Sequence, residues 1–134
     1  MEQTNCPLQH IAISVADLEE SVTWYREMFG FEQISSEYVP PCHSQITTMT
    51  NGRIGLELFC HDDSIPLPDI RKNPDTDPKE QGIKHFCFAT EDLQGLLAEL
   101  TAKGVKVLVG PVLMGTHTVC YIQDNSGNPI ELMQ

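Results

Sequence analysis

The chain is written twice. Residues 8–32, LQHIAISVADLEESVTWYREMFGFE, align with residues 83–106, IKHFCFATEDLQGLLAELTAKGVK. His10 falls on His85, Asp17-Leu18 falls on Asp92-Leu93, and Gly30 meets Gly104 after a one-residue gap. Further on, NGRIGLELF at 51–59 falls on NSGNPIELM at 125–133, which sets Glu57 on Glu131. The separation from His to Glu is 47 residues in the first half and 46 in the second. A repeat of this kind restricts the fold to two copies of one supersecondary unit. The 134 residues suffice for two small modules within one domain, residues 1–134.

Each half reads as strand, helix, then several strands. In 8–15 the β-branched Ile11, Ile13 and Val15 recur at period two. Asp17 is a good N-cap, with Glu20 three residues on. Leu18, Val22, Tyr25 and Phe29 then repeat at helical spacing until Gly30, a natural stop. In the second half Asp92 caps, Leu93, Leu96, Leu97 and Leu100 form the stripe, and Gly104 ends it. Strands are expected at about 31–39, 44–50 and 53–60, and again at about 105–109, 114–123 and 128–133. TNG at 50–52 and DNSGN at 124–128 suit hairpin turns. This pattern gives an α+β fold, two βαβββ modules at about 6–60 and 83–134. Between them, 61–82 holds four prolines and many charges, and is expected to be a linker or ordered loop.

Strand alternation assigns the faces. Ile11, Ile13 and Val15 should pack under the helix, leaving His10, Ala12 and Ser14 on the other side. Phe86 and Phe88 should do the same, leaving His85, Cys87 and Ala89. Leu56 and Leu58 alternate with Glu57 and Phe59, and Ile130 and Leu132 alternate with Glu131 and Met133. Four times the polar residue lies opposite the helix-packing face. A lone strand histidine is ordinarily a hydrogen-bonded core residue, and a lone glutamate an edge residue. Four at duplicated positions instead suggest two imidazoles and two carboxylates lining a cup in a curved mixed sheet. Such donors suit one divalent transition metal, whose charge two carboxylates would cancel.

The bulk numbers narrow the partners. The net charge is −11, with only eight Lys and Arg and no basic stripe. That argues against nucleic acid and against anionic membrane surfaces. No apolar run is long enough to span a bilayer, and MEQTNCPLQH does not look like a secretion signal. A cytoplasmic protein is expected. Cys6, Cys42, Cys60, Cys87 and Cys120 are odd in number and widely spaced, which fits reduced thiols and not a disulfide framework.

These stretches, LQHIAISVADLEESVTWYREMFGFE, IKHFCFATEDL and DNSGNPIELM, resemble the vicinal oxygen chelate superfamily over about 6–134. That superfamily includes glyoxalase I, methylmalonyl-CoA epimerase, extradiol dioxygenases, fosfomycin-resistance proteins and bleomycin-binding proteins. Its metal positions fall on His10, Glu57, His85 and Glu131, all filled by residues able to ligate. The set is similar to that of glyoxalase I. The resemblance implies one divalent ion (Ni, Zn, Co, Mn or Fe) and a homodimer. It also implies that Glu57 and Glu131 serve by turns as ligand and catalytic base. The expected activity is a metal-dependent lyase, isomerase or epimerase acting on a small hydroxycarbonyl or thiol-conjugated compound. An iron(II) extradiol-type dioxygenase and a non-catalytic small-molecule-binding or resistance protein are the alternatives. Anionic substrate groups would call on Arg53, Lys84 or Arg71-Lys72, and His43, His61 and His117 are further candidates to line the cup.

Overall fold

A computed structural model describes residues 4–134. It divides into two compact units, separated after Ile65. In the first unit, strand β1 (His10–Ser14) leads into helix α1 (Leu18–Phe29), followed by β2 (Glu32–Val39), β3 (Ser44–Thr50) and β4 (Gly55–His61). In the second, β5 (Phe86–Ala89) leads into α2 (Leu93–Ala102), then β6 (Lys106–Met114), β7 (His117–Gln123) and β8 (Pro129–Met133). Each unit builds its own four-stranded mixed sheet, in the order β1-β4-β3-β2 and β5-β8-β7-β6. The expected α+β class and the βαβββ repeat are both present. Among the described residues no helix is long and apolar enough to cross a membrane.

The helices start where the sequence places them. Asp17 accepts from the Glu20 amide at 2.9 Å, and Asp92 accepts from the Gly95 amide at 2.9 Å. Each bond satisfies one of the amides that a helix start leaves unpaired. Gly30 closes α1 in the left-handed region, at φ 67°. At the end of α2 the cap is Lys103, and Gly104 follows it at φ 88°. On α1 the buried positions are Ser21, Val22 and Tyr25, with Leu18 and Phe29 half-buried. Tyr25 meets Phe31 edge to face, at 6.1 Å between ring centroids.

Alternation along β4 and β8 sets the site. Leu56 and Leu58 are fully buried, as are Ile130 and Leu132. Burying four such side chains contributes about 1.5–3 kcal/mol each. A one-residue slip of either strand would exchange these leucines and isoleucines with the glutamates, so the core specifies the register. The loops are held by their own side chains. Asn51 Oδ1 accepts from the amides of Arg53 and Ile54 at 3.0 Å each. Asp124 Oδ1 accepts from Ser126 and Asn128 at 2.9 and 2.8 Å.

Two expectations are revised. The opening strands are shorter than read: β1 starts at His10, leaving Leu8 exposed, and β5 starts one residue after His85. Strand β6 does not stop at residue 109 but runs on through Gly110 and Pro111 to Met114. The ladder with β7 shifts register twice, between Val107 and Val109 and between Val109 and Val112. Pro111 lies at the second irregularity, where a missing N–H is tolerated. The stretch between the repeats is an ordered loop, as expected, with single turns of 3-10 helix at Asp69–Arg71 and Asp77–Lys79 organised around a buried Asp77.

Candidate functional site

In each unit the parallel pairing of the first and last strands brings one histidine to one glutamate. In the first, His10 pairs with Gly55 in the β1–β4 register and Ala12 with Glu57. Glycine is required opposite His10: a Cβ on Gly55 would stand 2.9 Å from His10 Cβ and 3.2 Å from the Gln9 carbonyl oxygen. The strands therefore close tightly, with the Gly55 amide donating to that carbonyl at 2.8 Å. His10 Nε2 consequently lies 3.5 Å from Glu57 Oε2. In the second unit Cys87 pairs with Glu131 across β5–β8, and His85 Nε2 lies 3.0 Å from Glu131 Oε2.

The two pairs differ in their surroundings. Thr48 stands across from Glu57 on the antiparallel side, whereas Tyr121 stands across from Glu131. The Tyr121 ring meets the His85 ring edge to face, with centroids 5.1 Å apart. The Cys87 thiol donates to the Phe88 carbonyl oxygen at 3.7 Å. Burial, then the neighbouring Glu131 carboxylate, push the thiol up to about 11. It is therefore neutral at neutral pH. Burial and the same carboxylate also raise the Tyr121 phenol. The Glu131 side chain is 13% exposed, against 31% for Glu57. Sequence reading found Cys87 on the correct face but missed Tyr121, because nothing local specifies which β7 residue stands beside Glu131.

His85 is not a buried histidine in search of a partner, as its apolar neighbourhood suggests. Its side chain is 31% exposed and its partner is Glu131. His10 is 43% exposed; its Nδ1 meets Gln9 Oε1 while its Nε2 faces the Glu57 carboxylate. A polar partner on one ring nitrogen is the usual support for a histidine whose other nitrogen ligates a metal. Among the described residues no group of three or more His, Cys, Asp and Glu side chains is gathered as a metal requires. What the structure assembles is two pairs, each inside its own unit.

The other candidates separate. Arg71 Nε and Lys84 Nζ both donate to Asp77 Oδ1, at 2.8 and 3.2 Å. Burial alone would raise the Asp77 carboxyl, but these two cations outweigh it and hold the group below its ordinary range. Lys72 pairs with Asp69 at 3.2 Å. These cations are therefore engaged in fastening the connecting stretch. Arg53 instead lines a hollow of about 450 Å3 in the first unit, together with Gln9, His10, Ile34, Thr48 and Glu57. His61 lines a second hollow of about 440 Å3 in that unit, accepts from the Asp63 amide at 2.9 Å, and lies edge-on to His43. His117 is exposed at the start of β7.

Comparison with known proteins agrees with this architecture. The family model described as Glyoxalase/Bleomycin resistance protein/Dioxygenase superfamily matches residues 8–132. A mitochondrial methylmalonyl-CoA epimerase of Dictyostelium discoideum is 28% identical over 130 residues, 92% of this chain and 74% of that protein. A probable lactoylglutathione lyase of Synechocystis is 24% identical over 131 residues, 95% of this chain and 94% of that protein. Among solved structures, a glyoxalase family protein from Enterococcus faecalis superposes with a TM-score of 0.81 at 23% identity, covering 96% of this chain and 97% of that one. At that identity the superposition speaks to the fold.

Proposed function

This chain belongs to the Glyoxalase/Bleomycin resistance protein/Dioxygenase superfamily, and on that premise we propose that it is a metal-dependent lyase or isomerase of glyoxalase type. Its substrate is a small hydroxycarbonyl or thiol-conjugated compound. The observation that carries this reading is the His–Glu pair built twice by the same strand pairing, His10 with Glu57 and His85 with Glu131. The relatives named as an epimerase and as a lactoylglutathione lyase support the reaction class.

His10, Glu57, His85 and Glu131 are the residues that would hold the cation. The donor set fits one: two imidazoles and two carboxylates suit Ni, Zn, Co, Mn or Fe, and the two negative charges balance the ion. The orientation of His10, with Nδ1 at Gln9 and Nε2 turned to a carboxylate, fits the same need. A divalent cation held there supplies Lewis-acid polarisation of vicinal substrate oxygens and stabilises the negative charge that develops on them.

The chain's own groups handle the proton. A carboxylate takes it from the carbon beside the carbonyl, and the second carboxylate returns it, giving an isomerisation or an inversion. Glu57, more exposed and with Ala12 beside it, is the freer of the two. Glu131 is held by His85, with Cys87 across the β5–β8 ladder from it.

Elemental analysis of the purified protein and deuterium uptake from solvent test this together. The expected result is about one divalent ion per chain, and wash-in of deuterium at the carbon beside the carbonyl of a methylglyoxal hemithioacetal. Glu131→Gln should abolish the wash-in while retaining part of the metal. Unchanged wash-in in that variant would remove Glu131 from the proton path.

A further inference from the structure

Resting on that reading, we infer that the hollow beside His10 and Glu57 receives a hydroxycarbonyl compound whose far end is anionic, a phosphate or a carboxylate, and that Arg53 binds that end. The chain carries 19 acidic and 8 basic residues, so most cations here have a carboxylate close by. Arg26 pairs with Glu32 at 3.8 Å, and Arg71 with Asp77 at 2.8 Å. Arg53, the third arginine, makes no ion pair with any described residue, yet it lines the same hollow as His10 and Glu57.

Its position is prepared. The turn that carries it is closed by Asn51 Oδ1 accepting from the Arg53 and Ile54 amides, and by Thr50 Oγ1 accepting from the Gly52 amide, each at 3.0 Å. Gly52 takes φ 87°, which few other residues adopt without strain. The fixed turn leaves only the side chain to be ordered, and a guanidinium meets a planar or tetrahedral anion with two parallel hydrogen bonds. The hollow, about 450 Å3, is of the size that small ligands occupy. It is polar at Gln9, Thr48 and Thr50 and apolar at Leu8, Ile34 and Ile54.

Charge sets the orientation. An anion at Glu57 would be repelled, while one at Arg53 is attracted, so the carbonyl end lies at His10 and Glu57 and the anionic end at the turn. In a chain of net charge −11, such a local cation is what allows an anionic compound to settle at all.

Calorimetric titration of the full chain tests this, with and without added nickel(II). Dihydroxyacetone serves as the neutral probe, dihydroxyacetone phosphate as the phosphate probe, and 5-hydroxy-4-oxopentanoate as the carboxylate probe. At least one anionic probe should bind about ten-fold tighter than dihydroxyacetone, and which one identifies the anion. Arg53→Gln should erase that preference without changing dihydroxyacetone binding, and Arg53→Lys should keep part of it. Equal affinities for the three probes, no binding of either anionic probe, or a preference that survives Arg53→Gln would overturn the assignment. A preference lost in Arg53→Gln but indifferent to nickel supports Arg53 and counts against the metal reading. Nickel-dependent binding that ignores Arg53→Gln does the reverse.

Discussion

Cys87 stands directly across the β5–β8 ladder from Glu131, while Ala12 holds the corresponding place beside Glu57. The repeat is therefore chemically unequal at its centre: one glutamate has a thiol and a tyrosine beside it, and the other has a methyl group and a threonine.

This inequality sets the reactivity of Cys87. Cys6, Cys42 and Cys87 are all exposed, so access alone would not separate them. The Cys87 thiol, pushed up to about 11, holds roughly a hundred-fold less thiolate near neutral pH than an ordinary cysteine. Alkylation by iodoacetamide at pH 8, followed by mass spectrometry, should modify Cys6 and Cys42 well before Cys87. Glu131→Gln removes the nearby charge and should speed the Cys87 reaction. Equal rates at all three cysteines would contradict the environment described.

Gln9 should matter for metal affinity although it is not a ligand. Its Oε1 meets His10 Nδ1 and orients the ring, with Nε2 turned to Glu57. Gln9→Leu releases the ring, and metal binding should weaken by roughly ten-fold. Competition against a chromogenic chelator measures this, and an unchanged affinity would show that the ring is oriented by other contacts.

Asp77 should govern acid stability. Its carboxyl is 2% exposed and bonded to Arg71 and Lys84. The folded pKa is lowered, so the stabilisation is fully present above the ordinary carboxylate pKa of about 3.9. It is lost as pH falls through the lower folded value. Asp77→Asn leaves two cations without their carboxylate and should cost about 3 kcal/mol at pH 7. Denaturant titration should show that the difference from the native chain narrows below about pH 4. A constant difference across pH would point to lost packing instead of lost charge.

The two helix caps should act alike. Asp17→Ala and Asp92→Ala each remove a 2.9 Å bond to a first-turn amide. Each should lower stability by about 1 kcal/mol in thermal or denaturant unfolding. A cost confined to one of them would mean that the other helix start is held by packing.

Much of this protein was readable without coordinates because its signals are local. Period-two alternation placed Leu56, Leu58, Ile130 and Leu132 in the core, and by the same parity placed Glu57 and Glu131 outside it. Asp17 and Asp92 capped their helices because an N-cap needs only the next three residues. The register across strands lay beyond that reach. That Gly55 must be glycine because His10 crosses it, that Tyr121 and Cys87 flank one glutamate, and that Arg71 and Lys84 are taken by Asp77 all depend on residues distant in the chain. The sequence by itself determined the repeated module and the residue types able to hold a cation, since covalent spacing and side-chain parity are sufficient for both. Tertiary structure alone decided which histidine meets which glutamate, what surrounds each pair, and which arginines are taken up in ion pairs. Those facts arise from strand pairing, where contact is set by packing between segments and not by distance along the chain.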